Sequence, residues 1–249
     1  MGDRKTAKSD SADKTGASCG CGFPGRGQPA RSMQTIPRFG PSRLPRYFQG
    51  MTQLLFLPGA GGAAEFWHPL GSLLPETYEK TYLNWPGLGR EKHRAGLDSL
   101  DALTAHAAAH LTDDTVIVAH SMGGIFAMRL ALLYPQHVKR LVFTAASGGI
   151  DVMRFGASDW RPAYRAEYPD AAPWITQARA DHTKEISSIR QPALLLWGDA
   201  DTVSPVSVGR HLASLLPHAE FHVIAGADHA FAQTRAAEIA PLIARFLKN

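Results

Sequence analysis

The stretch Thr115-Val-Ile-Val-Ala-His-Ser121-Met-Gly-Gly-Ile-Phe-Ala-Met sets one serine where a run of β-branched residues meets a run with helical spacing. A serine so placed sits in a sharp strand-to-helix turn, the form of a nucleophile elbow, which presents its hydroxyl at the top of a sheet. The turn presses strand and helix backbone together and strains the serine's own φ/ψ, so its neighbours must be small. Ala119 and Gly123 fill those places and Gly124 adds slack, although Ala119 is one methyl larger than the usual glycine. The simpler alternative is a serine that merely caps a helix over 122–134. A reactive serine also needs a base, an acid to orient the base and donors for an oxyanion, and the chain has candidates for each.

Eleven histidines compete for the role of base. His229 lies in the turn Gly226-Ala-Asp-His229, which follows the apolar run ending at Ile224 and so falls at the mouth of a sheet. His222 belongs to that strand; His68, His137, His182 and His218 fall in loops or at helix ends without a motif; His93 and His211 have nothing beside them. His120 adjoins Ser121, but its side chain is expected to point elsewhere in the turn. His106 and His110 have the i, i+4 spacing of a metal pair on one helix face, yet no third ligand follows, so an ordinary helix surface is expected and no metal site is assigned. For the acid, Leu194-Leu-Leu-Trp-Gly-Asp199-Ala-Asp201-Thr-Val-Ser-Pro205 carries two aspartates just beyond a strand. Asp201 is far enough round the loop to turn back toward a histidine, whereas Asp199 suits a turn-forming bond to nearby backbone amides; both as loop formers remains open. The turn Pro58-Gly-Ala60-Gly-Gly62 lets backbone N–H groups face inward, as an anion-stabilising hole requires. Its Gly59-x-Gly61-x-x-Ala64 spacing also matches a dinucleotide fingerprint, but the ribose-binding acid is missing from Leu83-Asn84-Trp85-Pro86 at the end of the second strand.

These residues are positioned by alternating apolar and amphipathic segments from 52 onward. Strands are expected at 53–57, 78–83, 115–119, 139–145, 192–197 and 220–224, and helices at 64–73, 98–111, 122–134, 206–216 and 234–247. The pattern predicts an α/β fold: a doubly wound, mostly parallel sheet of about six strands with helices on both faces. Between 148 and 188 the alternation lapses into Trp160, Tyr164, Tyr168 and Trp174 mixed with Arg154, Arg161 and Arg165, which reads as a short lid inserted over the carboxyl edge of the sheet.

The 249 residues are 45% apolar and 19% charged, enough for one substantial core in residues 51–249. The net charge of +4 is local: residues 1–50 hold nine Lys/Arg against three Asp/Glu, while 51–249 hold seventeen against nineteen. A near-neutral folded part gives no electrostatic reason to expect nucleic acid or a membrane surface as partner. The first fifty residues, with eight Gly and five Pro and no periodicity, are expected to be a disordered extension, with Met51 as a candidate start. They show no apolar signal-peptide segment, and Asp3, Asp10 and Asp13 argue against a transit peptide. Both cysteines, Cys19 and Cys21, lie there, so the folded part has no need of an oxidising compartment and a cytoplasmic location is expected.

Over nearly all of residues 52–249 the chain resembles the α/β-hydrolase family. The resemblance rests on the order Ser121, Asp201, His229, on the Pro58–Gly62 turn and on the Trp85-Pro-Gly-Leu-Gly89 loop. It departs at Ala119 and in starting at the family's third strand, which leaves the first hairpin absent unless residues 1–50 supply it. What the resemblance implies is a serine hydrolase of the carboxylesterase-like branch, with Ser121 as nucleophile, His229 as base and Asp201 orienting it. Backbone N–H groups of Ala60 and Met122 would hold the oxyanion, and an acyl-enzyme would be released by water with no cofactor. A small-molecule carboxylic ester or thioester is the expected substrate, with Trp160, Arg161, Tyr164, Arg165 and Trp174 as candidate contacts. A non-catalytic binding module, and a lyase or carbon–carbon hydrolase using the same residues, are the alternatives.

Overall fold

The computed structural model describes residues 51–248, so the expectations for the basic extension, Cys19 and Cys21 lie outside the described residues. Six strands are formed: β1 (Gln53–Leu57), β2 (Glu79–Tyr82), β3 (Thr115–His120), β4 (Val138–Thr144), β5 (Ala193–Gly198) and β6 (Ala219–Ile224). All pair in parallel, in the order β2-β1-β3-β4-β5-β6. β1, β3 and β5 are buried along their whole length, which is why they read as continuous apolar runs.

Alternate strand residues feed two separate cores. Leu55, Leu57, Ile117, Ala119, Leu141, Phe143, Leu195 and Trp197 pack with α2 (Leu100–Ala108), α3 (Gly123–Leu133) and α6 (Val206–Leu215). Leu54, Phe56, Val116, Val118, Val142, Leu194 and Leu196 face the other way, onto Trp67, Leu70 and the residues Ile239, Ile243 and Phe246. The second layer is built from α1 (His68–Gly71) and the C-terminal helix Ala236–Lys248, which is α8 in a chain order that also holds α4 (Arg161–Glu167), α5 (Trp174–Gln177) and α7 (Phe231–Thr234). Each fully buried Leu, Ile, Val or Phe contributes about 1.5–3 kcal/mol, so the period-two alternation drives the sheet to be covered on both faces.

The helices differ in detail from their expected bounds. The segment over 64–73 is a 3₁₀ turn, Ala64–Trp67, running into the one-turn α1, with Pro69 in its first turn. The helix over 98–111 is shorter, and Ser99 caps its start by accepting a bond from the Ala102 N–H. The final segment splits into α7 and α8 around Arg235.

The order of strands matters most for the site. From β1 the chain moves outward to β2, then crosses back to β3 and runs the other way to β6. The direction therefore reverses between β1 and β3, and loops leaving their carboxyl ends diverge to opposite faces and open a crevice. The segment over 148–188 lies across that edge. Its Ala172 N–H donates to Gly87 O at 2.7 Å, its Ser158 N–H to Thr202 O at 2.8 Å, and its Tyr164 hydroxyl to Ala60 O at 3.0 Å. Gly87, Thr202 and Ala60 belong to loops that follow β2, β5 and β1, so the insertion spans the carboxyl edge as a cap. Among the described residues no helix is long and apolar enough to cross a membrane.

Candidate active site

Ser121 stands between the end of β3 and the start of α3 with φ of 51°, one of two non-glycine residues with positive φ among those described. An L-residue pays for that conformation, and it persists because the surroundings hold it. Ser121 N–H donates to Thr144 O of β4 at 3.2 Å, and its carbonyl accepts from Gly124 N–H and Ser147 N–H, each at 3.1 Å. Small neighbours are a steric necessity. A Cβ on Gly123 would come within 2.5 Å of Leu57 O and 2.7 Å of Pro58 O, and one on Gly59 within 3.1 Å of the Ser121 Cβ. Ala119, the departure from glycine, is fully buried among the α2 and α3 side chains, so its methyl is absorbed as core.

The loops after β5 and β6 bring Asp201 and His229 to this serine. His229 Nε2 lies 3.0 Å from Ser121 Oγ and His229 Nδ1 lies 2.7 Å from Asp201 Oδ2. With Asp201 accepting the proton on Nδ1, the lone pair of Nε2 faces the serine hydroxyl. The second carboxylate oxygen of Asp201 accepts from Val203 N–H at 2.8 Å and Ser204 N–H at 2.9 Å. Its side chain is 0% exposed against 26% for His229, so the carboxylate is buried and fully partnered while the imidazole keeps a face toward the crevice. Asp199 instead accepts from Gly226 N–H at 2.6 Å and ties the two loops together. The two aspartates differ in direction: Asp201 points across to the histidine and Asp199 to the turn at Gly226.

Opposite the serine lies the glycine-rich turn after β1. Among the described residues neither the Ala60 N–H nor the Met122 N–H has an acceptor. Met122 N–H also precedes the first turn of α3, where the helix carries partial positive charge. Both donors belong to turns that flank the Ser121 hydroxyl, which is bonded to the His229 imidazole.

His120 enters the site in a way its position alone did not indicate. Its ring stacks on Phe66 at 4.4 Å and lies 4.8 Å from the ring of His229, so it backs that imidazole rather than turning away. Nδ1 sits 2.9 Å from Thr144 O, which takes a proton there. Burial pushes the His120 imidazole well below the ordinary histidine range; nearby His229 lowers it further, and the Thr144 bond opposes both. It is a neutral, fixed surface for His229 to rest on.

The five insertion residues divide. Trp160 packs edge-on against Tyr164 at 5.3 Å, and both Trp160 and Trp174 are half-buried against the core. Arg161 is committed: NH1 lies 2.8 Å from Asp159 and Nε donates to Thr176 O at 3.1 Å. Arg165 is exposed on α4. Tyr164 is buried, and its hydroxyl donates to Ala60 O and accepts from Gly89 N–H at 2.8 Å. That polar role had no signature in the sequence, because its partners lie 104 and 75 residues away.

The sequence profile described as the alpha/beta hydrolase fold matches residues 52–173. The chain has an α/β-hydrolase-like fold, and over those residues its sequence resembles that family. Among solved structures, this chain superposes with a TM-score of 0.64 on an esterase from Rhodococcus sp. ECU1013, at 18% identity, covering 80% of this chain and 90% of that one. Among characterised proteins it is 27% identical to a poly(3-hydroxyalkanoate) depolymerase of Ectopseudomonas oleovorans, over 80% of this chain and 85% of the relative. It is 33% identical to a pimeloyl-[acyl-carrier protein] methyl ester esterase of Salmonella heidelberg, over 41% of this chain and 39% of that protein. A polyketide synthase of Burkholderia thailandensis is 27% identical over 78% of this chain, which spans 12% of that protein's length.

Proposed function

We propose that this α/β-hydrolase is a serine hydrolase that cleaves a small-molecule carboxylic ester or thioester through an acyl-enzyme on Ser121. The observation that carries the reading is the unbroken hydrogen-bond run from Asp201 through His229 to Ser121, at 2.7 Å and 3.0 Å. In the proposed reaction Ser121 Oγ attacks the acyl carbonyl as its proton passes to His229 Nε2, and Asp201 stabilises the imidazolium. The Ala60 and Met122 N–H groups receive the oxyanion. Collapse expels the alcohol or thiol with the proton held by His229, and a water activated by the same nitrogen then frees the acid.

Relatives named as a depolymerase and a methyl ester esterase agree with an ester as the bond broken. A binding module or a lyase is not favoured by these relatives. Trp160 and Trp174 supply apolar surface for the acyl chain, with residues 148–188 as the lid. Arg161 is already paired, so recognition of a substrate carboxylate rests on Arg165 alone.

A panel of p-nitrophenyl esters varied in chain length and charge, run on wild type and on Ser121→Ala, tests the reading. Wild type turns over at least one ester, a fluorophosphonate labels Ser121, and Ser121→Ala loses both. Equal turnover by the two proteins removes the serine from the mechanism.

A further inference from the structure

The turn that carries the Ala60 donor is rich in glycine, and a glycine peptide flips freely unless something holds its carbonyl. Around it almost every carbonyl is held. Trp85 Nε1 donates to Pro58 O at 2.7 Å, Gly62 N–H to Gly59 O at 3.1 Å, and Trp85 N–H to Gly62 O at 2.8 Å. Those three braces come from the turn itself and from the loop after β2. The peptide between Ala60 and Gly61 is different: its oxygen is held by the Tyr164 hydroxyl, 3.0 Å away, on helix α4 of the insertion.

The same hydroxyl accepts from Gly89 N–H at 2.8 Å, which aims its proton at Ala60 O and leaves it no second orientation. Tyr164 is itself rigid, buried between Trp160 at 5.3 Å and Tyr168 at 5.0 Å. Burial raises its pKa, so the phenol stays protonated as a donor. Fixing the carbonyl of Ala60 fixes the peptide plane directly after Ala60, the residue whose N–H is the proposed oxyanion donor. Loss of the hydroxyl would leave a part-buried carbonyl and a buried N–H without that partner.

We propose that Tyr164 is a positioning residue of the oxyanion hole: from the insertion, it holds the Ala60–Gly61 peptide so that Ala60 N–H stays aligned with Met122 N–H. The proposal rests on Ser121 being the acyl nucleophile. It makes the insertion and the oxyanion donors one mechanical unit, so that the element covering the acyl group also sets the geometry of the charge-stabilising pair.

Tyr164→Phe keeps the ring and its packing and removes only the hydroxyl. With p-nitrophenyl butyrate, kcat is expected to fall roughly tenfold with KM within twofold, less than the 10²–10³ lost when a donor is deleted outright. The affinity of a phenylboronic acid, which forms a tetrahedral adduct on the serine, should fall by the same factor, while butyrate binding as product stays unchanged. Adding Gly61→Ala to Tyr164→Phe restricts the same peptide from its other side, with a Cβ that meets only the Tyr168 hydroxyl at 3.7 Å, and should restore part of kcat. The proposal is overturned if Tyr164→Phe retains kcat within twofold. A lowered melting temperature without loss of boronate affinity overturns it too, as does a chain that fails to fold, since each would make the hydroxyl a structural requirement only. Activity of wild type and its loss in Ser121→Ala are read separately, so failure of the hydrolase reading is distinguishable from failure of this one.

Discussion

Asp201 divides its carboxylate between two tasks: one oxygen accepts from two backbone N–H groups and the other faces His229 Nδ1 at 2.7 Å. Asp201→Asn satisfies the first task with its carbonyl and fails the second, because the amide NH₂ then donates toward Nδ1. The imidazole must answer with a lone pair on Nδ1 and a proton on Nε2, the wrong tautomer for accepting the Ser121 proton. The expected outcome is a fall in kcat of about 10⁴ with an unchanged fold, the magnitude known for the equivalent change in a serine protease. Steady-state kinetics with circular dichroism checks it, and a loss under tenfold would place the orienting role elsewhere. Asp199→Asn, whose oxygen serves only Gly226 N–H, should leave kcat within a few fold.

At the scale of elements the elbow is a contact between strand β1, strand β3 and helix α3, and Gly123 is where they touch. Placing alanine there gains at most about 1 kcal/mol of backbone entropy. It sets a Cβ 2.5 Å from Leu57 O, an overlap that rigid sheet backbone relieves at a cost of about 1–3 kcal/mol. The clash wins, so Gly123→Ala should lower the denaturant midpoint and reduce activity as Ser121 is pushed from its position. A variant as stable and active as wild type would show that β1 and α3 can part. The amphipathic and β-branched periods made these elements legible in the sequence, down to strand bounds within a residue or two. The 148–188 segment was legible only as a lapse in the pattern, since its short helices α4 and α5 pack against loops rather than repeating a period.

For the whole molecule, four buried or half-buried histidines predict a loss of stability in acid. Burial is the leading cause that lowers the pKa of His106, His110, His120 and His182 below the ordinary value of 6.5. Below that pH the unfolded chain takes up protons that the fold refuses, so stability falls as pH drops from 6.5 toward the folded-state values. The lowered carboxylates Asp159, Asp181 and Glu220 lose their contributions only from about their ordinary 3.8 to 4.5 downward, outside this window. Glu91, whose pKa is raised, opposes the trend as a single group. Melting followed by circular dichroism should give a lower Tm at pH 5 than at pH 7.5. A flat profile would mean that these imidazoles protonate in place.

The sequence by itself determined the alternation of strand and helix, the burial of both sheet faces and the strained serine turn, because each follows from local period and local sterics. It also supplied the chemistry of Ser121, Asp201 and His229, residues separated by 80 and 28 positions in the chain. Which aspartate serves the histidine, that His120 backs its ring, and that Tyr164 reaches Ala60 were decided only by the tertiary structure. Those are matters of direction between loops from different strands, and a side chain's direction depends on how the strands lie side by side, which no local period encodes.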